Sequence, residues 1–103
     1  MMIEIPLADA PAPDSVLQIA VDGGAPIALY NLDGAFYATD DTCTHGEASL
    51  AEGEISGDEI VCPFHMGAFD IRTGEVTMPP CAEALATHPV EVHGDRVRIE
   101  VAR

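Results

Sequence analysis

Apolar and polar residues alternate in short runs along most of the chain, and no window of twelve residues keeps an apolar repeat at helical spacing. The pattern predicts an all-β protein. Residues 16–21 read as a strand ending at Asp22-Gly23-Gly24. A second strand at 26–30 runs to Asn31-Leu32-Asp33-Gly34, which turns the chain into a third at 35–38. These make a meander of short antiparallel strands. Near the other end Val90 and Val92 alternate with Glu91, His93-Gly94-Asp95 turns, and Val97, Ile99 and Val101 alternate with Arg96, Arg98 and Glu100. This is the clearest hairpin in the sequence.

Between these blocks, from about residue 40 to 80, the chain is richer in Gly, Pro and acids. Residues 59–61 read as a strand there, and Arg72-Thr73-Gly74 as the turn of a hairpin carrying Phe69 and Ile71 in and Val76 out. Pro79-Pro80 marks the return, since consecutive prolines cannot join a central ladder. The expected organisation is one domain over residues 1–103. An antiparallel β base, about 1–39 and 81–103, carries an inserted subdomain of about 40–80.

Charge narrows the partners. Eighteen acidic residues against four Arg give a formal net charge of −14 in 103 residues, which disfavours nucleic acid. Asp40, Asp41, Glu47, Glu52, Glu54, Asp58 and Glu59 crowd the insert, whereas Arg96, Arg98 and Arg103 lie at the C-terminus. That polarity suits a protein steered by its acidic end onto basic partners. No stretch approaches the roughly 18 apolar residues of a membrane span and no leader is apparent, so a cytoplasmic protein without a membrane is expected. Three cysteines cannot make a complete disulfide set.

The candidate chemistry lies in two mixed pairs, Cys43-Thr44-His45 and Cys62-Pro63-Phe64-His65, with sixteen residues between them. Each joins one thiolate to one imidazole. Two Cys plus two His match the ligand set of a Rieske [2Fe-2S] centre, one per chain, with Cys43 and Cys62 on the inner iron and His45 and His65 on the outer. Two ferric ions, two sulfides and two thiolates sum to zero charge, and reduction makes the site −1. An all-thiolate site starts two charges lower, so imidazole ligation raises the potential above that of plant-type ferredoxins. Loss of an imidazole proton in the oxidised state should couple reduction to alkaline pH. Zinc is the competing occupant, but its usual finger pairs Cys with Cys and His with His.

Cys-Thr-His-Gly at 43–46 and Cys-Pro-Phe-His-Met-Gly at 62–67 resemble the Rieske family over most of the chain. Arg72-Thr73-Gly74-Glu75-Val76, Pro79-Pro80 and Pro89-Val90 further resemble the ferredoxins of bacterial aromatic-ring dioxygenase systems of the biphenyl, toluene and naphthalene type. The resemblance implies a Rieske fold and a soluble, monomeric one-electron carrier in aromatic hydrocarbon catabolism, not an enzyme in itself. Its expected partners are a flavin-containing ferredoxin reductase and a terminal oxygenase. A Rieske-like small subunit of a nitrite reductase is the alternative within this resemblance.

High-potential respiratory members carry an extra cysteine in each ligand loop, where this chain has Glu47 or its neighbours and Phe64. They also carry a Ser and a Tyr where this chain has Gly67 and Phe69. Without those hydroxyls the resemblance implies a potential near the low end of the Rieske range, about −150 mV. A Phe69→Tyr hydroxyl within reach of a sulfur would raise it.

Three other features draw attention. His88 and His93 with an acid such as Glu83 suggest a 2-His-1-carboxylate iron site, but residues five apart on a strand face opposite sides. Cys81 reads as a small buried hydrophobe without a role. Met66 fits either an apolar docking rim or packing under the loop.

Overall fold

The computed structural model describes residues 1–44, 48–64, 66–81 and 83–102. Among them there is no α-helix; eleven strands form three antiparallel sheets. The first sheet orders β1 (Met2–Pro6), β11 (Arg96–Glu100) and β10 (Val90–His93), with β11 in the centre. The second orders β2 (Ser15–Val21), β3 (Gly24–Leu32), β4 (Ala35–Asp40) and β9 (Thr87–His88). The third orders β5 (Glu54–Ser56), β6 (Glu59–Val61), β7 (Ala68–Asp70) and β8 (Val76–Met78).

The turn residues explain the hairpins. Leu32 pairs with Ala35 across a two-residue turn in which Asp33 and Gly34 have φ of 54° and 96°. Two positive φ values suit the right-handed twist of the flanking strands, and Asn31 Oδ1 secures the turn by accepting from the Gly34 amide at 2.7 Å. His93 pairs with Arg96 around Gly94, as the Val90 to Val101 pattern predicts.

β3 is the pivot of the packing. Its side chains alternate between two cores. Ile27 and Leu29 enter an aliphatic core with Ala38, Val97, Ile99 and Val101. Ala28, Tyr30 and Leu32 enter a second core with Leu50, Ile60, Phe69, Ile71 and the three cysteines. A strand buried on both faces reads as a nearly continuous apolar run, as 27–30 does.

Sequence reading missed β1, although Ile3 and Ile5 alternate with Met2 and Glu4 there. It also missed β5 and the two-residue β9, too short to carry a period. Val92, on the edge strand β10 of the first sheet, is 49% exposed.

Candidate metal centre

Cys43 and Cys62 each follow a strand, and backbone hydrogen bonds pinch the chain around both. After β4 the Thr42–Ser49 bridge and the bond from the Cys43 amide to the Ala48 carbonyl, 2.9 Å, pinch the first loop at its base. After β6 the Cys62 amide donates to the Gly67 carbonyl at 2.7 Å, and the Met66 amide to the Cys62 carbonyl at 3.2 Å. Met66 takes a φ of 62°, uncommon for a side chain of its size, to make that return.

The first loop hangs on Asp41, whose side chain is buried. Its Oδ2 accepts from Gln18 Nε2 at 2.8 Å and from Ser49 Oγ at 2.7 Å, and its Oδ1 accepts from the Ala51 amide at 2.9 Å. One carboxylate therefore ties β2 to the short 3-10 turn Leu50–Glu52 beyond the ligand pair. Gly53 then brings this turn against the second loop's strand, for a Cβ there would strike the Val61 carbonyl.

Cys43 and Cys62 are both buried and neither is disulfide-bonded. They share one core with Cys81, whose Sγ lies 3.9 Å from Cys43 Sγ. Burial, reinforced by Cys43 and Cys62, pushes the Cys81 thiol up to about 12, so it stays neutral at physiological pH. A third segment completes the convergence: Thr44 Oγ1 donates to the Glu83 carbonyl at 2.7 Å, holding the first loop against the chain beyond Pro79-Pro80. His45 and His65 lie outside the described residues.

The donor set suits an iron-sulfur group. Two buried thiols stand on adjoining loops in a soft, apolar setting, and the described residues, without His45 and His65, hold no group of three metal-binding side chains. Asp41, the nearest buried carboxylate in sequence, already accepts three hydrogen bonds.

His88 and His93 do not converge. His88 is buried, with Nε2 2.9 Å from Asp40 Oδ1 and Nδ1 accepting from the Ala102 amide at 3.0 Å. Those two bonds fit the neutral Nε2–H tautomer. His93 is exposed beside Glu91, and Glu83 uses its carbonyl on Thr44. Phe64 and Met66 are 65% and 64% exposed on the second loop, which favours the docking-rim reading of Met66 over packing beneath it.

A family model of the Rieske [2Fe-2S] domain matches residues 5–89. The chain belongs to the Rieske [2Fe-2S] family. It is 43% identical to the p-cumate 2,3-dioxygenase system ferredoxin component of Pseudomonas putida over 94 residues, covering 90% of this chain and 80% of that protein. It is also 43% identical to the biphenyl dioxygenase ferredoxin subunit of Pseudomonas sp. (strain KKS102) over 96 residues, covering 92% and 87%. A chain in the solved complex of reduced oxygenase and oxidized ferredoxin in carbazole 1,9a-dioxygenase superposes with a TM-score of 0.91 at 41% identity, covering 96% of this chain and 92% of that one. A solved putative NADH-dependent nitrite reductase small subunit from Mycobacterium tuberculosis, covering 100% of this chain and 99% of that one, reaches 0.81 at 18% identity, which speaks to fold alone. The Rieske family's cofactor is a [2Fe-2S] cluster, and the two buried thiols fit it.

Proposed function

We propose that this chain is a soluble cytoplasmic one-electron carrier, a monomer that accepts electrons from a flavin-containing reductase and delivers them to a terminal oxygenase in aromatic hydrocarbon catabolism. The burial of Cys43 and Cys62 together beneath a loop that exposes Phe64 and Met66 carries this reading. Cys43, His45, Cys62 and His65 are the proposed ligands. When bound, the cluster supplies a site that gains and loses one electron.

The protein residues provide the setting. Asp41 and Gly53 hold the two loops in register, while Leu50, Ile60 and Phe69 keep water from the sulfur side. Residues 40–80 act as the cluster-binding subdomain and 1–39 with 81–103 as its base, in keeping with the separate sheet formed by β5 to β8. Met78, 52% exposed, is a further exposed apolar side chain of the insert, whose sequence is rich in acids. A shuttle must release its partner, so the docking area should stay below about 1,200 Å². The ferredoxin names of relatives above 40% identity favour this reading over the nitrite reductase alternative.

The test is purification followed by reconstitution. Two irons and two labile sulfides per chain, a low-average-g EPR signal on reduction and reductase-driven transfer to an oxygenase of this class are expected. Zinc without sulfide would overturn the reading. Transfer rates should fall as salt screens the acids.

A further inference from the structure

Cys81 has no place in the proposed ligand set, yet its thiol sits within hydrogen-bond range for sulfur of Cys43 Sγ, at 3.9 Å, in the buried core. Position 67 supplies an independent observation. Gly67 is absent from the positive-φ glycines, so its backbone does not require glycine. A Cβ there would instead collide with Cys81 Sγ and crowd the Cys81 amide nitrogen at 3.2 Å and the Met78 carbonyl at 3.3 Å. The side chain missing at residue 67 leaves the room that the Cys81 thiol fills.

Resting on the reading of Cys43 as a cluster thiolate, we propose that Cys81 is a positioning residue whose S–H donates to Cys43 Sγ and raises the reduction potential. The direction of the bond follows from protonation. A metal-bound thiolate has no proton and can only accept, whereas an ordinary thiol keeps its proton at neutral pH. Reduction adds one negative charge to the site, so a donor aimed at a ligand sulfur strengthens its bond in the reduced state and favours that state.

Packing alone makes a different prediction. If Cys81 only fills space, replacing it with an apolar residue of similar bulk leaves the potential where it was, and truncating it admits water, which stabilises the more negative reduced site and raises the potential.

The experiment is film voltammetry on the holoprotein and on Cys81→Val and Cys81→Ser, each first shown to hold iron and sulfide in equal amounts. Valine should lower the reduced-to-oxidised ratio at fixed electrode potential by up to about tenfold, or about 59 mV for a one-electron couple. Serine, which keeps a donor, should hold the wild-type midpoint or exceed it. A loaded valine variant with an unchanged or higher midpoint, or a serine variant that falls as far as valine, overturns the proposal. If valine fails to load, Cys81→Ala is compared with wild type by pulsed EPR of the reduced protein. Loss of one exchangeable proton coupling supports the bond, and an unchanged set overturns it. A wild-type protein lacking iron and sulfide defeats the cluster reading itself, an outcome distinct from a loaded protein whose midpoint ignores Cys81.

Discussion

The two cores on either side of β3 are built by one alternating strand but differ in kind. The face of Ile27 and Leu29 meets Val97, Ile99 and Val101, side chains that offer volume and nothing else. The face of Ala28, Tyr30 and Leu32 meets three thiols, with the Tyr30 hydroxyl bonded to Thr39 at 2.8 Å. In the first core any residue of suitable size and shape serves. In the second, individual atoms matter, because each buried polar group needs a partner and the sulfurs have chemistry of their own. A small domain can thus keep generic stabilisation and specific reactivity one strand apart.

The sharpest way to test that division is to damage each side in turn. Cys62→Ala should abolish the cluster and its visible absorption, and removing the metal by chelation should destabilise wild type, since the proposed ligands would hold the two loops together through it. Ile99→Ala should cost about 3 kcal/mol in denaturant melts, within the usual range for such a cavity, yet leave the cluster spectrum unchanged. A spectrum lost with Ile99→Ala would show that the cores are not separable.

Asp41→Asn comes next, expected to cost about 2 kcal/mol, because an amide presents a donor where two donors, Gln18 Nε2 and Ser49 Oγ, now converge on Oδ2. Hydrogen exchange should quicken at the Cys43, Leu50 and Ala51 amides and not at Ile99. Uniform acceleration would mean that Asp41 stabilises the whole fold and not the first loop.

The smallest effect concerns Tyr30. Burial, with Asp41 adding to it, holds its phenol above the ordinary value. The unfolded chain therefore ionises first, so the stability from this group is complete below about pH 10 and declines as pH rises beyond it. Tyr30→Phe should cost about 1 kcal/mol at neutral pH through the lost bond to Thr39, and the two stability curves should converge in alkali. Parallel curves would place the alkaline sensitivity elsewhere.

The strands with clear alternation or turn chemistry are legible in the sequence: residues 16–21, the Asp33-Gly34 hairpin, Glu59–Val61 and the C-terminal hairpin all form as read. β9 is not, because two residues have no period, and it exists only where β4 offers an edge. The order and spacing of the Cys and His pairs, from which the proposed ligand set is drawn, are likewise local properties of the chain.

Cys81 reads from its neighbours as mere packing, and no rule of spacing places it against a residue 38 positions away. The convergence of Gln18, Ser49 and Ala51 on Asp41 and the pairing of His88 with Asp40 and Ala102 are likewise tertiary facts. By itself the sequence determined the β class, the turns and the donor chemistry, since backbone preference and ligand type belong to each residue and its neighbours. Only the tertiary structure decided which distant side chains meet the sulfurs, because those contacts depend on how three sheets pack around β3.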